Sequence, residues 1–202
     1  MTENPASLVR LLKDIRACRL CEAYLPLGPR PVLIADINAR ILIAGQAPGT
    51  KVHESGVPWD DPSGERLRDW LGVTPEVFYN PKKFAIIPQG FCYPGKLASG
   101  GDAPPRPECA RTWHPQLIPE LKNIRLIIAA GQYAHKYYLG AARKKTLTET
   151  VAAYSEYAPR VIPLPHPSWR VVGWMKRNPW FEADVLPELR ARVHALLAES
   201  GE

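Results

Sequence analysis

The stretch Arg40-Ile41-Leu42-Ile43-Ala44-Gly45-Gln46-Ala47-Pro48-Gly49 decides the fold class. A near-continuous apolar run reads as a strand covered on both faces, as in a parallel sheet, and the Gly/Pro-rich turn after it stops the strand. Three further runs of the same kind follow, Phe84 to Ile87, Arg125 to Ala130 and Arg160 to Leu164. Helical spacing of apolar residues fills the intervals, most clearly over Gly64 to Leu71, Trp113 to Leu121, Gln132 to Leu139 and Val185 to Leu197. An earlier helix is carried by Leu8, Leu11, Leu12 and Ile15 and runs into Cys18-Arg19-Leu20-Cys21. This alternation predicts a three-layer α/β/α sandwich around a central four-stranded parallel sheet.

In such sheets ligands bind outside the carboxyl ends of the strands. Two segments fall there: the turn Gly45 to Gly49, whose exposed backbone N–H groups let a planar ligand approach closely, and Pro165-His166-Pro167-Ser168 after the last strand. A histidine on that facing loop can polarise a carbonyl oxygen or steady a leaving anion.

Of the 202 residues, 46% are hydrophobic and 23% charged, which suits one well-buried domain spanning the whole chain. The 26 Lys and Arg outnumber the 20 Asp and Glu, and the resulting +6 charge permits a polyanionic partner without requiring one. No apolar run approaches the ~20 residues of a membrane span, and no secretory leader is read before the first helix. A cytoplasmic, monomeric protein with no membrane partner is expected. The 22 prolines cluster around Pro26 to Pro31, Pro104 to Pro107 and Pro163 to Pro167, outlining long ordered loops.

All four cysteines lie outside the strands. Cys18 and Cys21 form a C-x-x-C at a helix end, while Cys92 and Cys109 flank the loop Tyr93 to Glu108. Disulfides are not expected in the cytoplasm. Structural zinc usually shows two short knuckles, whereas one C-x-x-C with two isolated cysteines suits a [4Fe–4S] cluster at least as well. Four unconnected buried thiols are the remaining alternative.

The order of these features resembles the iron–sulfur uracil-DNA glycosylases over nearly the whole chain. The family's typical G-E-A-P-G, G-R-P-F and H-P-S motifs correspond to Gly45 to Gly49, Gly56 to Trp59 and His166 to Ser168, with Gly131-Gln132-x-Ala134 in its place and the cysteines at matching positions. The resemblance implies a [4Fe–4S] cluster on Cys18, Cys21, Cys92 and Cys109. It also implies a base pocket at the carboxyl edge of the sheet, built from Gly45, Ala47, Pro48 and Ser168 with Trp59 as the aromatic that stacks on a flipped base.

The departures bear on chemistry. Gln46 stands where the family carries Glu and cannot act as a general base. The segment Trp59-Asp60-Asp61-Pro62-Ser63-Gly64 is similar to the F-T-G-D-x-S-G stretch of another glycosylase branch, which makes Asp61 the candidate catalytic carboxylate and Asp60 second to it. Either aspartate could instead cap the helix beginning near Gly64. Pro88 occupies the place of the family's base-reading Asn, and Gln89 beside it offers an amide for the O4 and N3–H edge. A thymine-excluding Tyr would fall at Gly49, so discrimination against the methyl must come from another wall or be lax. The R-R-I-H insertion of a product-trapping relative is absent; the corresponding loop runs from Pro94 to Asp102.

His166, fixed between two prolines, is the candidate stabiliser of the departing base, whereas His53, His114, His135 and His194 read as surface or loop residues. The basic and aromatic stretch Ser168 to Trp180 reads as a DNA wedge whose Arg170, Lys176 and Arg177 meet phosphates, with some of its three tryptophans in the core. The expected function is a monofunctional glycosylase that flips uracil from DNA and hydrolyses the N-glycosidic bond, with Asp61, His166 and Gln46 at the reacting centre. The alternative is a non-catalytic iron–sulfur reader of uracil-containing or abasic DNA.

Overall fold

The computed structural model describes residues 5–199. Four strands, β1 (Ile41–Ala44), β2 (Phe84–Ile86), β3 (Leu126–Ala130) and β4 (Val161–Leu164), form one parallel sheet in the order β2-β1-β3-β4. Ile41 stands opposite both Phe84 and Leu126, and Ile127 opposite Val161. Each strand is one residue shorter than its run suggested. Arg40, Arg125 and Arg160 lie just before their strands. Ten helices accompany the strands among the described residues: α1 (Pro5–Arg16), α2 (Thr50–Ser55), α3 (Pro62–Leu71), α4 (Pro75–Phe78), α5 (Pro107–Leu117), α6 (Gln132–Leu139), α7 (Leu147–Ala152), α8 (Tyr154–Tyr157), α9 (Val171–Arg177) and α10 (Leu186–Ala198).

Side chains alternate across the sheet and so divide the core in two. Ile41, Ile43, Phe84, Ile86, Ile128 and Leu164 face α3, α4, α7, α9 and α10, meeting Leu67, Trp70, Phe78, Val151, Val171 and Leu189. Leu42, Ala44, Ala85, Ile127 and Ala129 face α1, α5 and α6, meeting Leu8, Leu12, Ile15, Leu117 and Ala134. Each fully buried Leu, Ile or Phe contributes roughly 1.5–3 kcal/mol, so both layers are fastened to the sheet. The chain leaves β1 toward β2 on one side and returns to β3 on the other, which opens a crevice at the carboxyl ends. Pro163 is accommodated because β4 is an edge strand. No described helix is long and apolar enough to cross a membrane.

Three expectations are corrected. The helix expected over Trp113 to Leu121 begins at Pro107, whose fixed φ suits a first helical turn, and tightens to a 3-10 turn at Ile118–Glu120, where Pro119 has no N–H to continue the ladder. The stretch after Ser168 is helical from Val171, so it is not one continuous loop. Of the four histidines read as surface or loop residues, His53, His114 and His135 are buried and only His194 is exposed. Backbone carbonyls make the burial of two of them tolerable: His114 Nε2 pairs with Pro88 at 3.1 Å, and His135 Nε2 with Ala129 at 3.1 Å and Leu164 at 3.0 Å.

Candidate active site

A cavity of about 400 Å³ opens at the carboxyl edge of the sheet. Its floor is the Gly45 to Gly49 turn, held to the segment after β2 by hydrogen bonds from the Gln89 N–H to the Gly45 carbonyl at 3.0 Å and from the Gly90 N–H to the Gln46 carbonyl at 2.9 Å. Pro58, Trp59, Asp61 and Ser63 form one wall, and His166, Ser168, Trp169 and Arg170 another. Eight expected site residues meet here from two distant stretches, Gly45, Gln46, Ala47, Pro48, Trp59, Asp61, His166 and Ser168, with Arg170 at the mouth.

Asp61 caps a helix and lines the cavity at once. It is the N-cap of α3, its Oδ1 accepting the Gly64 N–H at 2.8 Å, and the same side chain lines the cavity. Oδ2 takes no hydrogen bond from any described residue. Asp60, one residue back, is exposed and neither caps the helix nor lines the cavity.

Trp59 adopts φ +58°, a left-handed conformation rare for a bulky residue and costing of order 1–3 kcal/mol. The surroundings enforce it. Its carbonyl accepts from Arg68 Nη1 at 3.2 Å and from the Tyr79 hydroxyl at 3.3 Å. A Cβ on Gly64 would fall 1.8 Å from that carbonyl oxygen, and one on Gly45 would fall 2.9 Å from the indole. The ring lies 5.5 Å from that of His166, inclined by 31°.

His166 is placed by the two prolines and by Gly131, where a side-chain Cβ would approach it to 3.3 Å. Burial holds its imidazole below the ordinary range, against the opposing pull of Asp61, so the ring is neutral at pH 7 and can present an N–H.

Gln89 does not join this site. The chain bends at Gln89; Pro88 lines the cavity, while Gln89 is buried and lines a separate pocket with Pro105, Tyr133 and Tyr137. Lys176 and Arg177 are exposed in the last turn of α9, away from the mouth. Trp169 is 74% exposed beside the mouth, whereas Trp174 and Trp180 pack against the core. Among the lining residues missed are two charged ones, Lys96 and Asp102, both on the Pro94 to Asp102 loop. Gln46 Nε2 donates to the Ala103 carbonyl at 3.2 Å and joins that loop to the floor. Burial holds the Asp102 carboxyl above its usual range, Lys96 opposing and Asp61 adding to the rise.

The four cysteines surround a second, apolar cavity at the far side of the Cys92 loop, with Phe91 and Trp113. No disulfide joins them, and no group of three or more described His, Cys, Asp or Glu is set to hold a single metal ion. Four thiols lining one shared space are a donor set that either a [4Fe–4S] cluster or a structural zinc uses. The Phe91 N–H donates to Cys109 Sγ at 3.3 Å and the Trp113 indole N–H to Cys18 Sγ at 3.4 Å. Burial pushes the Cys92 thiol up to about 11 and Cys109 up to about 12, so thiolates there require a compensating cation.

A cavity at the switch point of a parallel sheet, with a carboxylate and a neutral imidazole on facing walls, agrees with a comparison against known families. The model of the uracil DNA glycosylase superfamily matches residues 31–190, and the chain belongs to that superfamily.

Proposed function

We propose that the protein is a monofunctional uracil-DNA glycosylase of the iron–sulfur branch. The observation that carries this reading is that Asp61 and the neutral His166 ring line one cavity of about 400 Å³, large enough for a flipped base, beside an aromatic ring held in a strained backbone.

The flipped base enters over the Gly45 to Gly49 turn and stacks on Trp59. As the C1′–N1 bond breaks, its electron pair passes to the base and the sugar becomes cationic. Asp61 stabilises that cation and orients the water whose oxygen bonds to C1′. His166 donates an N–H to the departing anion, and the water's proton is left for the base by way of solvent. Gln46 supplies amide contacts, with Gly45, Ala47, Pro48 and Ser168 shaping the pocket. Arg170 meets the phosphates at the mouth, and Lys176 and Arg177 lengthen the contact along α9. Lys96 lines the cavity and is assigned as a charge partner of Asp102 rather than as a Schiff-base nucleophile, so strand cleavage is not part of the proposed reaction.

Cys18, Cys21, Cys92 and Cys109 would hold a [4Fe–4S] cluster, whose contribution is structural. Bound through these residues, it would tie the segment after α1 to the Pro-rich loop and to α5.

Single-turnover cleavage of a duplex with one uracil tests the reading. Asp61→Asn and His166→Ala should each lose ~10²–10³ in rate while still binding DNA, as expected for removal of one preorganised electrostatic partner. The His166→Ala defect should shrink for 5-fluorouracil, a better leaving group, and the Asp61→Asn defect should not. A wild-type chain that retards uracil DNA without leaving alkali-labile sites would instead be the non-catalytic reader. Full rate in Asp61→Asn with a dead Asp60→Asn would move the carboxylate one residue back.

A further inference from the structure

The Pro94 to Asp102 loop closes on itself beside the cavity. Lys96 and Asp102 pair as an antiparallel bridge, the Leu97 N–H donates to the Gly101 carbonyl at 2.9 Å, and the Ala103 N–H to the Gly95 carbonyl at 2.8 Å. Through Gln46 it is fastened to the cavity floor, and the Arg170 guanidinium runs alongside, 3.7 Å from where a Cβ on Gly101 would lie. Asp102, exposed on this loop, thereby reaches the cavity. Its Oδ2 lies 3.5 Å from the position a Cβ would take on Gly49, so the wall that Gly49 leaves bare is completed by a carboxylate from another segment.

We propose that Asp102 is a specificity-determining residue of the base site, its carboxylate forming the wall toward the C5 edge of the pyrimidine, where it rejects a methyl and accepts a hydrogen-bond donor. This rests on reading the cavity as a uracil site and on the resemblance that turns the C5 edge toward Gly49. A carboxylate oxygen covered by a methyl loses water and gains no partner, a penalty that falls on thymine alone. A hydroxyl at the same place donates a charge-assisted hydrogen bond and removes the penalty. Uracil itself leaves room for water against Asp102. The substrate class extends to pyrimidines with a hydroxyl-bearing substituent at C5 and excludes those with an apolar one.

The test compares wild type, Asp102→Ala and Asp102→Asn on duplexes carrying one uracil, thymine or 5-hydroxymethyluracil opposite guanine. Single-turnover rates are read together with equilibrium binding of the same duplexes carrying 2′-fluorinated sugars that resist cleavage. Asp102→Ala is read against its own uracil rate. Its preference for uracil over thymine, and for the hydroxymethyl base over thymine, should each fall roughly ten- to a hundredfold. Asp102→Asn, which keeps an acceptor without the charge, should fall between. Unchanged preferences in Asp102→Ala, or an equal loss on all three bases, would overturn the role of Asp102 and leave the glycosylase reading standing. A wild-type chain that neither cleaves uracil nor prefers it in binding would overturn the glycosylase reading itself, and with it this inference.

Discussion

Arg66 Nη1 donates a hydrogen bond of 2.8 Å to the Pro167 carbonyl across 101 positions of sequence. The contact joins α3, whose cap is Asp61, to the loop that carries His166, so the spacing of the carboxylate and the imidazole is set by a residue that does not line the cavity.

Arg66 is therefore a positioning residue. Arg66→Ala should lower the single-turnover rate about tenfold or more with DNA affinity little changed, because small misplacements of reacting groups cost up to ~10²-fold. Arg66→Lys, which can still reach the carbonyl with one donor, should recover part of the loss. Equal losses of rate and of thermal stability in both variants would make the contact merely structural.

Gly64→Ala should be among the most damaging single-methyl changes. Its Cβ would sit 1.8 Å from the Trp59 carbonyl oxygen, and that oxygen is backbone, held by Arg68 and Tyr79. Forcing the two apart should cost about 1–3 kcal/mol in urea unfolding and displace the indole from His166. A variant of wild-type stability and tryptophan emission would show that the loop moves freely.

The cysteine cavity makes a prediction about colour. Purified anaerobically, the protein should be brown with the broad visible absorption of iron–sulfur charge transfer, and Cys92→Ala should lose iron and solubility. Stoichiometric zinc without iron would replace the cluster by a structural zinc site.

Acid should destabilise the fold through its buried histidines. Burial lowers His114 from 6.5 to about 4, while the unfolded chain keeps the ordinary value. The unfolded state then binds the extra proton first as pH falls. His114 thus contributes its full stability above pH 6.5 and loses it progressively between 6.5 and about 4, a change of about 3 kcal/mol. His135 shifts in the same direction. Urea midpoints measured across this window should fall steeply in wild type and less steeply in His114→Phe; identical slopes would remove His114 as the cause.

The sequence by itself determined the sheet and most of what surrounds it. Four apolar runs separated by helical spacing admit few arrangements once both sheet faces must be covered, and each run proved to be a strand with one residue trimmed. The motifs at Gly45 to Gly49 and Pro165 to Ser168 were legible because strand ends and rigid prolines place a loop with little help from the remainder of the chain. Tertiary structure alone decided the rest. A bend after β2 turned Gln89 away and left Pro88 at the cavity. Burial of His53, His114 and His135 depended on backbone carbonyls or packing from other segments, which no local pattern encodes. Asp102 carries no motif, and its proximity to Gly49 exists only because a self-closed loop is hydrogen-bonded to Gln46. Local propensity and hydrophobic period specify elements, whereas the residues that meet in a cavity are chosen by contacts between segments far apart in the chain, and those contacts form only on folding.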